Sequence, residues 1–402
     1  MKKLMLLGLT VLLGIFITTQ SNGQTSTLLL KKNKISSRRI IRMTCDPKGT
    51  LYTVNDKRNL NVITLENEKG KLDSKSFSKI ENTGDFLLKH FNIKENVSEN
   101  FSTLFRQGKN RGVSGRVNGK MVQLLRTDFH VWLELTREFS IIVNDMIFDS
   151  YSKNIYLSVS AKNKKSAVFE ITPTGKIAAL DFNKVKHMTI DMSAKATTFL
   201  DMQCYNETLY ISTRTSKSFK SAILMIPTTV KADATIPSCN LTIYHGNHRI
   251  WESHAPAETF TISEIKKTPY FISTTTCTPL VMTRLDKMKP NAKIKGTTIA
   301  ELGEGNIPFN IISYTKNQKH YVLTINSEYG VIKTTEKYLL ENEKVNESSF
   351  NRNANPEIKE MIILKDEKWQ NVLNAVRIDE ERAVVLTMPE AGDYKLSVVP
   401  LP

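Results

Sequence analysis

Cysteine is scarce in this chain: Cys45, Cys204, Cys239 and Cys277 are the four in 402 residues, and no two form a Cys-x-x-Cys pair. That spacing excludes a ribbon-type zinc site, and four cysteines are too few for a disulfide scaffold, so an apolar core must carry the stability. A phosphate-cradling P-loop, a His-Glu-x-x-His helix, a Gly-x-Ser-x-Gly elbow and a calcium-loop pattern are all absent, which removes the motif-borne forms of nucleotide, metalloprotease, serine-hydrolase and calcium chemistry. No cofactor is expected. Beyond residue 17 no apolar run reaches the roughly 20 residues that a membrane helix needs. Helical periodicity is also sparse, and the apolar residues alternate or cluster as they do in strands.

What is present begins with Lys2 and Lys3, followed by an apolar stretch from Leu4 to Ile17 and small residues to Gly23. This has the layout of a signal peptide over 1–23, with the mature chain starting at Gln24 and destined for the periplasm or the extracellular space. The competing reading is an uncleaved anchor. No cysteine lies near the cleavage position, so a lipid anchor is not expected. At 40% apolar and 24% charged residues the chain is ordinary for a globular protein, but its formal net charge is +16. The densest basic stretch is Lys31, Lys32, Lys34, Arg38, Arg39 and Arg42, and no aromatic residues interleave it. A solvated basic face fits that pattern better than specific nucleic-acid binding. The partner classes it leaves open are an envelope glycan, an acidic polymer or another protein.

One pattern recurs. A strand, a short polar turn and a second strand ending on an aromatic or β-branched triplet appear around Met43, Met146, Met202, Ile262, Ile311 and Val376, at intervals of 103, 56, 60, 49 and 65. Each hairpin is apolar enough to be buried on both faces. The first interval is about twice the others, so a degenerate seventh copy is expected between them, with Val113 to Leu125 as the candidate. Repeats of this size predict an all-β chain, a β-propeller of six or seven four-stranded blades over 24–402, closed by strands from both ends. The alternative is two β-sandwich domains with a boundary near Pro290.

The hairpin from Cys45 to Val54, with Asp46-Pro47-Lys48-Gly49-Thr50-Leu51-Tyr52, resembles the inner strands of NHL and lactonase-like propellers. The resemblance covers little more than ten residues per repeat and implies a fold. The segment from Thr276 to Pro308, with Gly296-Thr-Thr-Ile-Ala-Glu-Leu-Gly303, is similar to exported bacterial proteins of no known function. Three tryptophans exclude a tryptophan-docked quinoprotein ring, and the absence of any Gly-Gly doublet argues against kelch repeats.

Three of the seven histidines, His245, His248 and His254, fall within ten residues, with Arg249, Trp251 and Glu252 among them. Imidazole and carboxylate suit a transition metal, whereas Trp and Arg suit a sugar or an acidic ligand. Gly246-Asn247 reads as a two-residue hairpin turn. That register would oppose His245 with His248, Ile243 with Ile250, Leu241 with Glu252 and Cys239 with His254, spreading the group too far along the strand for one metal. A rim contact with a ligand is therefore expected rather than a metal. The functional expectation is an exported, non-catalytic binding or assembly module. A metal-dependent hydrolase or lactonase-like enzyme, with its site at the propeller channel, is the alternative.

Overall fold

A computed structural model describes residues 26–27, 40–48, 50–55, 60–68, 71–80, 83–93, 106–107, 112–117, 120–125, 141–161, 166–180, 186–187, 197–215, 221–228, 235–246, 248–275, 279–303, 306–341, 361–387 and 395–402. Residues 1–23, where a signal peptide is expected, and most of the basic stretch lie outside these, as do Asn247 and Cys277.

Six four-stranded antiparallel sheets follow one another along the chain. Blade 1 is Ile40–Cys45, Thr50–Asn55, Leu60–Glu68 and Lys71–Ile80, and blade 2 is Ile141–Phe148, Ile155–Ala161, Ser166–Ile171 and Ile177–Ala179. Blade 3 is Thr197–Tyr205, Thr208–Thr215, Ser221–Pro227 and Ser238–His245. Blade 4 is Ala257–Ile265, Thr268–Thr275, Pro279–Arg284 and Thr297–Glu301, and blade 5 is Pro308–Lys316, Lys319–Asn326, Gly330–Thr335 and Ile362–Ile363. Blade 6 joins Val372–Arg377, Arg382–Thr387 and Lys395–Pro400 to Ser26–Thr27, whose two residues pair with Val398 and Ser397. The first strand of each blade packs on the first strand of the next, and that of blade 6 on that of blade 1. The ring closes at six, and the protein is a six-bladed β-propeller.

Each blade is a two-faced wedge. Ile311 packs towards blade 4 while its neighbour Ile312 packs towards blade 6, and Phe271 and Ile272 divide in the same way between blades 3 and 5. Successive side chains on a strand point to opposite faces, so a strand buried on both faces must read as a continuous apolar run. The core is accordingly six apolar clusters, one at each junction between blades.

Among the described residues, the long first interval holds no seventh blade. Gly112–Val117 pairs with Lys120–Leu125 on one side and Arg106–Gln107 on the other, in a three-stranded sheet separate from the six blades. The helix Thr83–Phe91 also occupies this interval. Its Leu87, Leu88 and Phe91 are buried in the junction of blades 1 and 2, where Phe86, His90 and Phe91 meet the ring of Phe169 edge-on. Two sandwich domains are excluded, because Pro279–Arg284 and Thr297–Glu301, on either side of Pro290, are neighbours in one sheet.

Two kinds of turn join the first and second strands. In blades 3, 4 and 5 the turn pairs Asn206-Glu207, Lys266-Lys267 and Asn317-Gln318 all have positive φ, between 44° and 64°, the geometry of a tight two-residue hairpin. In blades 1, 2 and 6 an Asp stands three residues after the repeat residue. Asp46 accepts the N–H groups of Lys48 and Thr50, Asp149 those of Tyr151 and Ser152, and Asp379 those of Glu381 and Arg382. A short acceptor side chain thus replaces the missing backbone partner. Cys45 and Cys204 lie in blades 1 and 3, and they and Cys239 are free thiols. Cys277, which sequence proximity favours as a bridge partner for Cys239, lies outside the described residues.

Candidate functional site

The last strand of blade 3 does not end with its blade. Ser238 and Cys239 pair with Leu224 and Ile223, and the strand then runs on to pair with Ile250–Glu252 on one side and, in parallel, with Lys293–Lys295 on the other. This carries the hairpin across the outer strand of blade 4. Gly296 N–H donates to Thr242 O at 2.8 Å, and Thr298 Oγ1 donates to Tyr244 O at 2.6 Å. A Cβ on Gly296 would sit 2.5 Å from Val281 Cγ1 and 3.0 Å from Leu241 Cδ1, so the crossing needs a residue without one.

The hairpin register differs by two residues from the one a Gly246-Asn247 turn would set. Ile243 opposes Glu252, Tyr244 opposes Trp251 and His245 opposes Ile250. The turn takes four residues, closed by the Arg249 N–H on His245 O at 2.8 Å with Arg249 at φ 59°. The shift keeps His245 and Glu252 on one face and makes them diagonal neighbours, within reach of each other.

Glu252 therefore bridges two imidazoles. Its Oε2 lies 3.1 Å from His245 Nδ1 and its Oε1 lies 2.7 Å from His248 Nδ1. The two imidazole rings are 3.9 Å apart between centroids. On the far side of His245, Nε2 stands 3.6 Å from Oε2 of Glu301, which arrives from the last strand of blade 4. The other Glu301 oxygen accepts the Gly246 N–H at 2.6 Å. His245 and Glu301 are 1% and 0% exposed, whereas the His248 side chain is 52% exposed. Burial, and next the adjacent His248, push His245 below the ordinary histidine range. Among the described residues, His245, His248 and Glu252 are the three metal-ligand side chains whose donor atoms all lie within 4.8 Å of one another.

The other residues of the segment stand apart. His254 and Arg249 are exposed and lie outside this group. Trp251 is tilted against Tyr244 and has Lys295 Nζ 4.4 Å over its ring, so the protein's own cation already occupies one aromatic face.

Sequence reasoning missed two features. Glu301 is one, since nothing local links it to a hairpin some 55 residues earlier. The other is an axial group, Arg42, Asp145 and Asp201, from the inner strands of blades 1, 2 and 3. Arg42, Asp145, Asp201 and Asn310 each stand immediately before a repeat residue, a polar position in the repeat that could have signalled them. Every inner strand carries a bulge near this position in its pairing with the second strand, which re-aims the local side chains. Asp145 Oδ2 accepts Met202 N–H at 2.8 Å, Asp201 Oδ2 accepts Phe260 N–H at 2.6 Å and Asn310 Oδ1 accepts Ala375 N–H at 3.1 Å. In each case the acceptor clasps the inner strand of the following blade. Arg42 Nε donates to Asn144 O, and Gln203 bonds both backbone groups of Ile262. Burial and the Asp201 carboxylate push Asp145 well above the usual carboxylate range, and burial raises Asp201 also. The two acids hydrogen-bond each other beside the Arg42 guanidinium.

No protein-family model matches the chain, and no curated protein does. Solved structures similar to it include one described as a propeller. The PQQ-bound aldose sugar dehydrogenase of Streptomyces coelicolor aligns with 96% of this chain and 100% of its own, at 7% identity and a TM-score of 0.41. The plexin A4 extracellular region aligns over 91% of this chain, which spans 40% of that longer one, at 7% identity and a TM-score of 0.45. The Dos1 propeller aligns over 89% of this chain and 67% of its own, at 10% identity and a TM-score of 0.39. At these values the likeness is one of fold alone, and the closed ring of inner strands is what carries the assignment.

Proposed function

We propose that the chain is an exported, non-catalytic binding or assembly module of the cell envelope, with an acidic envelope polymer as its partner class. The observation that carries this reading is the use of the axial polar side chains. Asp145, Asp201, Gln203 and Asn310 hold one blade to the next through backbone hydrogen bonds, so the groups a channel enzyme would need are structural here. The solvent-facing groups of the blade 3 hairpin, His248, Arg249 and His254, supply ligand contacts at the rim, and the net charge of +16 supplies long-range attraction.

The test is cosedimentation of the untagged full chain with isolated cell-wall glycan and with an acidic polysaccharide, at low and high salt. Retention that falls with salt supports the module. A second reading, a lactonase-like hydrolase at the axis, draws on the raised and mutually bonded acids Asp145 and Asp201. Turnover of lactone substrates that Asp201→Asn abolishes, without retention on either polymer, would replace the first reading with the second.

A further inference from the structure

The blade 3 hairpin is built as a metal-binding site, and the geometry assigns it one divalent transition-metal ion of the zinc class, held by His245, His248 and Glu252, with Glu301 positioning His245. This deepens the reading of the hairpin as the binding rim and rests on the arrangement of its side chains.

Two imidazoles and one carboxylate form a borderline donor set that suits zinc and its neighbours. In a tetrahedral zinc site, with bonds near 2.0–2.1 Å, ligand atoms stand roughly 3.3 Å apart. The His245–Glu252 and His248–Glu252 contacts, at 3.1 and 2.7 Å, already approach that spacing.

The position of His245 is the stronger argument. Its ring is buried between two carboxylates, Glu252 facing Nδ1 and Glu301 facing Nε2. Nδ1 has the Glu252 carboxylate at 3.1 Å, whereas the Glu301 oxygen stands 3.6 Å from Nε2, beyond hydrogen-bond reach. The buried Nε2 makes no hydrogen bond among the described residues. A metal on Nδ1 resolves this, because the proton then sits on Nε2 and points at Glu301, the carboxylate–histidine–metal arrangement by which buried acids fix a ligand's tautomer. Glu301 is itself held by the Gly246 N–H, so ligand, positioning residue and turn interlock across blades 3 and 4. With His248 on the solvent side, the fourth coordination position faces outwards, open to water or to a donor atom of a bound partner.

The experiment uses untagged full chain, stripped with chelator and titrated with zinc alone, then with cobalt as a spectroscopic probe. One equivalent should bind, raise the melting temperature, and with cobalt give the intense visible bands of a tetrahedral site. His248→Ala, at an exposed position where folding is indifferent, should abolish stoichiometric binding, as should Glu252→Gln. Glu301→Gln should weaken binding by roughly 10–100-fold without removing a ligand, and Lys319→Ala, at an exposed position on blade 5, should change nothing. Several weak equivalents that survive His248→Ala, or equal stabilisation by magnesium, would overturn the site. Polymer retention measured on the same samples separates the two ideas, since a chain that keeps its polymer but takes up no zinc loses only the metal.

Discussion

The axis and the rim of this propeller hold similar side chains in opposite circumstances. At the axis Asp145 and Asp201 face backbone N–H groups of the next blade and an Arg, and each carboxylate closes a junction. At the rim of blade 3 Glu252 and Glu301 face imidazole nitrogens on either side of one buried ring, and Glu252 links no two blades. Acidic side chains that satisfy the backbone specify a fold, whereas acidic side chains that converge on donor atoms specify a ligand. Chemistry-bearing residues near a propeller axis are therefore not evidence of catalysis until their hydrogen bonds have been assigned.

The largest expected effect comes from opening the ring. Removing residues 393–402 deletes the third strand of blade 6, leaves Ser26–Thr27 without its partner, and strips Tyr314, Lys316, Lys333 and Trp369 of their contacts to the backbone oxygens of Pro400, Leu401 and Pro402. The truncated chain should lose its cooperative melting transition and aggregate through the exposed sheet edge, as read by calorimetry and light scattering. Retention of the parent transition would show that the rim and blades fold without closure.

Next in size is the clasp itself. Asp201→Ala leaves the Phe260 N–H without its acceptor and should cost about 1–3 kcal/mol in denaturant unfolding. Asp145→Asn keeps an oxygen for Met202 and removes the repulsion with Asp201, so it should be neutral or stabilising at neutral pH. Equal losses in both would mean that charge, not the backbone hydrogen bond, is what matters at the axis.

At the crossing between blades, Gly296→Ala forces a methyl group against Val281 and Leu241 and should cost about 1–3 kcal/mol by overpacking. It should also impair the rim, because the hairpin carrying His245 and His248 is displaced from Glu301. A variant that melts lower yet keeps its metal affinity would uncouple the rim from the crossing.

The contrast between acids and buried histidines also has a pH signature. Burial lowers His320 from about 6.5 to about 4, although the neighbouring Glu336 opposes the shift. The unfolded chain then binds the extra proton, so this contribution is intact above pH 6.5 and is lost as pH falls towards 4. Asp145 behaves oppositely: its folded value is raised, so its contribution grows as pH falls. His320→Gln should flatten the loss of stability between pH 6.5 and 4, and Asp145→Asn should steepen it. Superimposable pH profiles of parent and variants would contradict both assignments.

Much of the ring was legible in the chain. Met43, Met146, Met202, Ile262, Ile311 and Val376 each sit on the inner strand of a separate blade, because a hairpin buried on both faces leaves an alternation and a turn that any copy must repeat. The interval of 103 residues misled because length alone cannot distinguish a degenerate blade from a helix plus a small sheet. The cluster of His245, His248 and Glu252 was visible as composition, but its register was not. Gly246-Asn247 looks like a two-residue turn, and the left-handed Arg249 that lengthens it leaves no mark in the sequence, since Arg rarely takes that conformation. Arg42, Asp145 and Asp201 meet only once the ring has formed, and Glu301 reaches His245 only because Gly296 lets two blades cross. Both are properties of closure rather than of any local segment.

Hydrogen–deuterium exchange on the chelator-stripped chain, with and without one equivalent of zinc, tests the division of labour between axis and rim most directly. Protection should rise at 238–252 and 293–303, around the hairpin and Glu301, and stay unchanged on the inner strands at 141–148 and 197–205. Protection confined to those inner strands, with the hairpin unaffected, would contradict the account and return the ligand chemistry to the axis.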